Sequence, residues 1–135
     1  MDTEVLSVVL EDLVIPSTPE TPEVKCIKNT GEIILIGNLI AHDPKDFFSP
    51  LLNWFEAYVT CYNPQKITLH LYLTFINGCS EHYVGVLMKR LEKLYQNGLP
   101  VQVYCHYESE DIDMRDWGRE LMEVLRLPIE MIEIN

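Results

Sequence analysis

Asn77-Gly78-Cys79-Ser80, followed by Glu81 and His82, is the stretch of this chain whose residue types could do chemistry. Ser80 carries a hydroxyl that a kinase could phosphorylate. Cys79 carries a thiol, and His82, one helical turn further on, carries a base. A helix start activates a cysteine toward nucleophilic attack, yet the sequence offers neither an oxyanion donor nor a third residue to orient His82. Ser80 is most simply the N-cap of a helix over 81–96, a role that stabilises by about 1 kcal/mol. Phosphorylated, it would gain nearly two negative charges. The helix dipole attracts such charge and Glu81 repels it.

Two further groups stand out. His70, Tyr72, Tyr104 and His106 fall at alternate positions of two strand patterns, so they would share one sheet face. Tyrosines are poor metal ligands, and two histidines alone do not make a site, so satisfied sheet histidines are expected and a metal is not; the face they share is open to solvent, covered by the N-terminal arm, or a partner-binding surface. Glu108, Glu110, Asp111 and Asp113 form an acidic loop. They would be solvated, with Asp113 capping a helix, or would steer a basic partner. Cys26, Cys61, Cys79 and Cys105 have neither metal-ligand nor redox spacing.

These residues must be positioned by the elements around them. Ile67, Leu69, Leu71, Leu73 and Phe75 alternate with Thr68, His70, Tyr72, Thr74 and Ile76, which predicts a strand with one buried face ending at the 77–80 turn. Open α/β sheets expose free backbone N–H groups and place ligand or switch chemistry at such strand-to-helix turns. Upstream, 24–28 and 32–37 flank Asn29-Thr30-Gly31 as a hairpin. Asp43-Pro44 starts a helix carrying Phe47, Leu51, Trp54, Phe55, Tyr58 and Val59. Pro50 either kinks that helix or separates a short turn from it. Val84, Leu87, Leu91 and Leu94 stripe the next helix, and Asn97-Gly98 stops it. A strand over 101–107, a helix with Met114, Trp117, Leu121 and Leu125 inward, and a strand over 129–134 complete the chain. The order β-β-α-β-α-β-α-β predicts one α/β domain with a mixed, mostly parallel sheet and helices mainly on one face. Residues 1–22, apolar in Val5 to Ile15 and proline-rich in 16–22, read as an arm to a domain over 23–135. The apolar part suits either a short helix or an extended strap.

With 135 residues, 47% of them hydrophobic, the chain can bury a core without staples. A formal net charge of −11 disfavours nucleic acid and anionic membrane surfaces and favours a basic protein surface as partner. No basic leader precedes the apolar N-terminal residues, which Glu11 and Asp12 interrupt. Reduced thiols in a cytoplasmic setting are therefore expected.

Thr21-Pro22-Glu23-Val24, Gly31-Glu32-Ile33, Phe48-Ser49-Pro50-Leu51-Leu52-Asn53-Trp54, Tyr58, Phe75-Ile76-Asn77 and Val101-Gln102-Val103 with Tyr104 to Tyr107 resemble the SiaC family of bacterial regulatory phosphoproteins. The resemblance runs from about Thr21 to Ile134. It implies a STAS-like fold, like that of anti-sigma-factor antagonists, and a cofactor-free, non-enzymatic partner-switching role. By the same resemblance, a dedicated kinase phosphorylates the turn after the central strand and a PP2C-type phosphatase reverses it. The unphosphorylated form binds and activates a diguanylate cyclase. The family reads Asn-Thr-(Ser or Ala)-Ser at that turn, with Lys soon after. Here the usual acceptor falls on Gly78, Ser80 matches the later serine, and His82 stands in place of Lys. Two other readings of the residues remain open: a small thiol-dependent enzyme at Cys79, and an unregulated interaction protein.

Overall fold

Period-two alternation drives the centre of the molecule. Ile67, Leu69, Leu71 and Leu73 are buried while Thr68, His70 and Tyr72 are half-buried on the opposite side. A computed structural model describes residues 10–134. The strands are β1 (Leu13–Ile15), β2 (Glu23–Ile27), β3 (Glu32–Leu39), β4 (Ile67–Ile76), β5 (Val101–Glu108) and β6 (Ile129–Ile134). They form a six-stranded sheet in sequence order. β1–β2 and β2–β3 are antiparallel; β3–β4, β4–β5 and β5–β6 are parallel. The parallel steps are crossed by α1 (Pro44–Ala57), α2 (Gly78–Gln96) and α3 (Ile112–Val124).

All three helices cover the same face. Phe48, Leu51 and Phe55 of α1, Val84, Leu87 and Leu91 of α2, and Met114 of α3 share one core with Val24, Leu35, Leu69 and Val103. Gly118 of α3 lies so close to Met131 of β6 that a Cβ there would meet its thioether. No described helix packs on the other face. This is the expected α/β architecture, with three local differences.

First, the expected order lacked β1. Three residues cannot display a period, and Leu13–Ile15 is held instead by tertiary contacts. The Trp54 indole N–H donates to the Glu11 carbonyl at 2.6 Å, and the Lys28 N–H donates to an Asp12 carboxylate oxygen at 2.9 Å. Of the two conformations open for the apolar arm, this part is extended. Val5, Leu6, Val8 and Val9 lie outside the described residues. Second, β3 continues past Gly37 to Leu39, because φ of +130° at Gly37 lets the strand carry an irregularity in its pairing with β4. Third, α1 runs through Pro50 without a break and widens into a π-helical turn over Tyr58–Tyr62, which Asn63 ends in the left-handed region. Tyr58, fully inside, donates its hydroxyl to the Lys28 carbonyl at 2.7 Å.

The β2–β3 turn needs its glycine. Gly31 has φ of +76°, and a Cβ there would collide with the Lys66 backbone oxygen. Gly31→Ala combines backbone strain with that collision and is expected to destabilise by about 2–4 kcal/mol. A urea-unfolding midpoint shift worth under about 1 kcal/mol would show that the turn rearranges freely.

Candidate functional site at the strand ends and the open sheet face

Asn77 builds the turn. Its side-chain oxygen accepts from the Ser80 N–H at 3.0 Å, capping α2, and its amide nitrogen donates to the Ala41 carbonyl at 3.1 Å. Its own N–H donates to the Leu39 carbonyl at 3.1 Å. The turn is thereby stitched to the segment that leaves β3. Helix α2 begins at Gly78, three positions earlier than expected, with Asn77 rather than Ser80 as N-cap. Asparagine caps as well as serine does, so the sequence did hold this signal.

Ser80 accordingly sits at the third helical position, where it turns into the core. It is 0% exposed, and its Oγ has no hydrogen-bond partner among the described residues. Gly78 and Cys79, by contrast, are exposed, and a Cβ on Gly78 would meet nothing within 4 Å. No hydrogen bond among the described residues joins Cys79 to His82, whose ring instead stands edge-on to Tyr83 at 5.2 Å. Burial pushes the thiols of Cys26 and Cys105 up to about 12, which makes them inert packing groups.

Phe75 departs from the expected pattern. By parity it belongs to the buried face, yet it is 61% exposed. The alternation itself ends after Leu73: Thr74 and Phe75 are both exposed, and Ile76, one residue further, packs against the core in its place. Sequence alternation alone could not reveal this; the nearness of the turn could have. An exposed aromatic thus flanks the turn. The acidic loop lies at the same edge, since β5 ends at Glu108 as β4 ends at Ile76. Glu108 and Glu110 are exposed. Asp111, not Asp113, caps α3, accepting from the Met114 N–H at 3.0 Å, while Asp113 lies in the first turn.

The open face brings together His70, Tyr72, Tyr104 and His106. Tyr72 and His106 stack with ring centroids 3.8 Å apart and planes 9° from parallel. His70 stacks on Tyr104 at 5.3 Å, its register partner across β4–β5. One nitrogen of His70 lies 3.3 Å from the Glu32 carboxylate. His70 Nδ1 and His106 Nε2 have no hydrogen-bond partner among the described residues. Among those residues no three His, Cys, Asp or Glu side chains are grouped to hold a metal, and no helix is long and apolar enough to cross a membrane. A cleft of about 920 Å³ lies at the opposite end of the strands and is lined by Lys28, Tyr62 and Lys66 among others, with Glu32, the carboxylate beside His70, on its margin. The site residues expected from the sequence do not line it.

Burial, and then the nearby His70, lowers the pKa of His106 from its ordinary value. The unfolded chain therefore takes up a proton first as pH falls. Stability from this group is complete above the ordinary value of about 6.5 and is lost as pH drops through that value toward the depressed one. Urea midpoints measured between about pH 7 and about pH 5 should fall more steeply for the wild type than for His106→Gln. Parallel profiles would show that His106 takes up its proton at the same pH in the folded and the unfolded chain.

The profile of the family described as "SiaC family regulatory phosphoprotein" matches residues 15–134. An uncharacterized protein of Pseudomonas aeruginosa (strain UCBPP-PA14) is 24% identical over 119 residues, covering 88% of this chain and 94% of that one. The fold is shared with a crystal structure of the diguanylate cyclase SiaD in complex with its activator SiaC from Pseudomonas aeruginosa. There the TM-score is 0.85 at 23% identity, over 91% of this chain and 100% of the matched one. SiaC of Pseudomonas aeruginosa gives a TM-score of 0.83 at 23% identity, over 92% and 99% of the two chains.

Proposed function

This chain belongs to the SiaC family of regulatory phosphoproteins, and on that premise we propose that it is a non-enzymatic adaptor that activates a diguanylate cyclase by binding it. The docking surface is the open sheet face around His70, Tyr72, Tyr104 and His106, continued over the strand ends by Phe75, the 77–80 turn and the acidic residues Glu108 and Glu110. Asp111, whose carboxylate caps α3, adds its charge to the same margin. The face combines stacked rings, two buried histidine nitrogens without hydrogen-bond partners among the described residues, and an acidic margin. Such a surface suits a partner with apolar anchors and basic flanks.

One observation carries the regulatory part of the reading. Gly78, where the family places its acceptor hydroxyl by resemblance, is exposed and has none, while Ser80, the remaining hydroxyl of the turn, is sealed in the core. Phosphoryl transfer needs the oxygen in line with the donor phosphate, which a buried Oγ cannot offer. The turn therefore acts as a fixed docking element, held in the form that binds the cyclase. The family's kinase and PP2C-type phosphatase then meet this chain as binding partners only. The short cytoplasmic chain of events needs no cofactor.

Cys79 is exposed, and no base among the described residues is in hydrogen-bond contact with it, so a thiol-dependent reaction has no observation in its favour. The test is affinity capture from native lysate followed by mass spectrometry. Recovery of a diguanylate cyclase that Tyr72→Glu fails to retain supports the adaptor. Absence of any cyclase in the wild-type eluate, with the protein folded, counts against it.

A further inference from the structure

The helical side of the molecule carries a feature that the sheet-face reading does not use. A groove of about 660 Å³ runs between α2 and α3, floored by Val86, Met88, Leu121, Val124 and Leu125 and rimmed by Lys89, Arg90 and Lys93. We infer that this groove is a second docking surface, which takes an acidic amphipathic helix from a protein partner.

Three physical features converge on that occupant. The floor is apolar and open: Val124 is 70% exposed and Val86 38%. Apolar side chains left open in a concavity between two helices suit the apolar stripe of a third helix. Gly85 also lines the groove, and nothing within 4 Å fills the space where its Cβ would be. A visiting backbone can therefore come close.

Charge selects the partner's polar side. Only 10 residues of the chain are Lys or Arg, against 21 Asp and Glu, yet three of the basic ones fall within residues 89–93 on this rim. Arg90 is already held by Glu56, at 2.6 and 2.7 Å. Glu92, the nearest carboxylate to Lys89 at 3.7 Å, already accepts from the Arg126 N–H at 2.6 Å. Lys89, whose side chain is 70% exposed, and the exposed Lys93 remain available to pair with incoming carboxylates. Glu81, at one end, is the opposing charge among the lining residues, with His82 beside it. Arginine fixed on one wall and two exposed lysines above an apolar floor match a helix with Leu-type residues on one side and Glu or Asp along its flanks.

A synthetic pair of fluorescent peptides tests this. One is an amphipathic helix of Leu and Glu; the other replaces each Glu by Lys. The field of a chain with net charge −11 favours the basic peptide nearly everywhere. Preference for the acidic peptide in anisotropy titrations is therefore the discriminating result, and added salt should weaken it. The double variant Lys89→Glu with Lys93→Glu should bind the acidic peptide at least about tenfold more weakly, a loss of about 1.4 kcal/mol. Both positions are exposed, so an unchanged melting curve is expected, and Val124→Asp provides an independent loss. Stronger binding of the basic peptide, no binding of either, or unchanged affinity in the double variant would overturn the inference. So would amide shifts confined to the Tyr72 face. Sedimentation showing a dimer that Val124→Asp dissolves would assign the groove to a second copy instead. Because the probe is synthetic, failure here leaves the cyclase reading standing, and failure of that reading leaves the groove standing.

Discussion

Gly78→Thr is expected to convert a protein that its cognate kinase leaves unlabelled into one that takes a phosphoryl group. The first position of α2 accepts the new side chain. It is exposed, its φ is not in the left-handed region, and a Cβ there meets nothing within 4 Å. Threonine there should leave stability unchanged or raise it slightly, because glycine is the poorer helix former and loses more backbone entropy on folding. The new hydroxyl points away from the core that seals Ser80, so a donor phosphate can reach it in line. Once attached, the phosphate meets the free N–H groups and positive dipole end of α2, worth about 0.3–1 kcal/mol near an exposed terminus. It also places nearly two negative charges beside Glu81 and in the middle of the docking edge. Labelled Gly78→Thr should therefore lose cyclase binding by at least about tenfold, or 1.4 kcal/mol, while unlabelled Gly78→Thr keeps it. Incubation with the kinase and radiolabelled ATP decides the matter. Label on wild-type Ser80 would show that the first turn of α2 opens readily, and label outside 77–82 would remove this turn from the regulatory account.

The largest loss of binding is expected on the open face. Tyr72→Glu removes the ring stacked 3.8 Å from His106 and puts a carboxylate at the centre of the surface. Aromatic residues at the middle of an interface commonly carry more than about 2 kcal/mol each, and a desolvated unpaired charge adds to the cost. Cyclase affinity should fall by about a hundredfold or more, some 2.7 kcal/mol. Stability should change little, because Tyr72 lies on the face that no described helix covers. Phe75→Ala, with 61% of the residue already exposed, should also spare stability while weakening the complex. Affinities within about threefold of wild type for both variants, measured by calorimetry, would move the docking surface elsewhere.

The balance between what could be read and what could not has a physical pattern. The sheet was legible because β4 and β5 repeat with period two, and that same period correctly put His70, Tyr72, Tyr104 and His106 on one face. The helices were legible because Leu87 and Leu91 recur at helical spacing. What escaped was set by contacts rather than by period. The strand Leu13–Ile15 depends on Trp54 and Lys28, which lie far along the chain. Asn77 and Asp111 won the caps expected of Ser80 and Asp113, because several residues competent to cap stood in each turn and packing chose among them. That choice matters most for function. It buries Ser80 by placing it at the third helical position, and it leaves Gly78 facing solvent. Phe75 escaped because the alternation that places Leu73 inside stops before the strand does, and Ile76 takes the core contact instead.

The central claim is activation by binding, and titrating a diguanylate cyclase from the same organism with the purified chain tests it most directly. Calorimetry gives the affinity, and the rate of cyclic dinucleotide synthesis in the same mixture gives the effect. Saturable binding is predicted, with synthesis rising in proportion to complex formed and Tyr72→Glu abolishing both together. A cyclase whose rate is unchanged at concentrations where the wild-type chain is bound, or that does not bind the folded chain, would contradict the account.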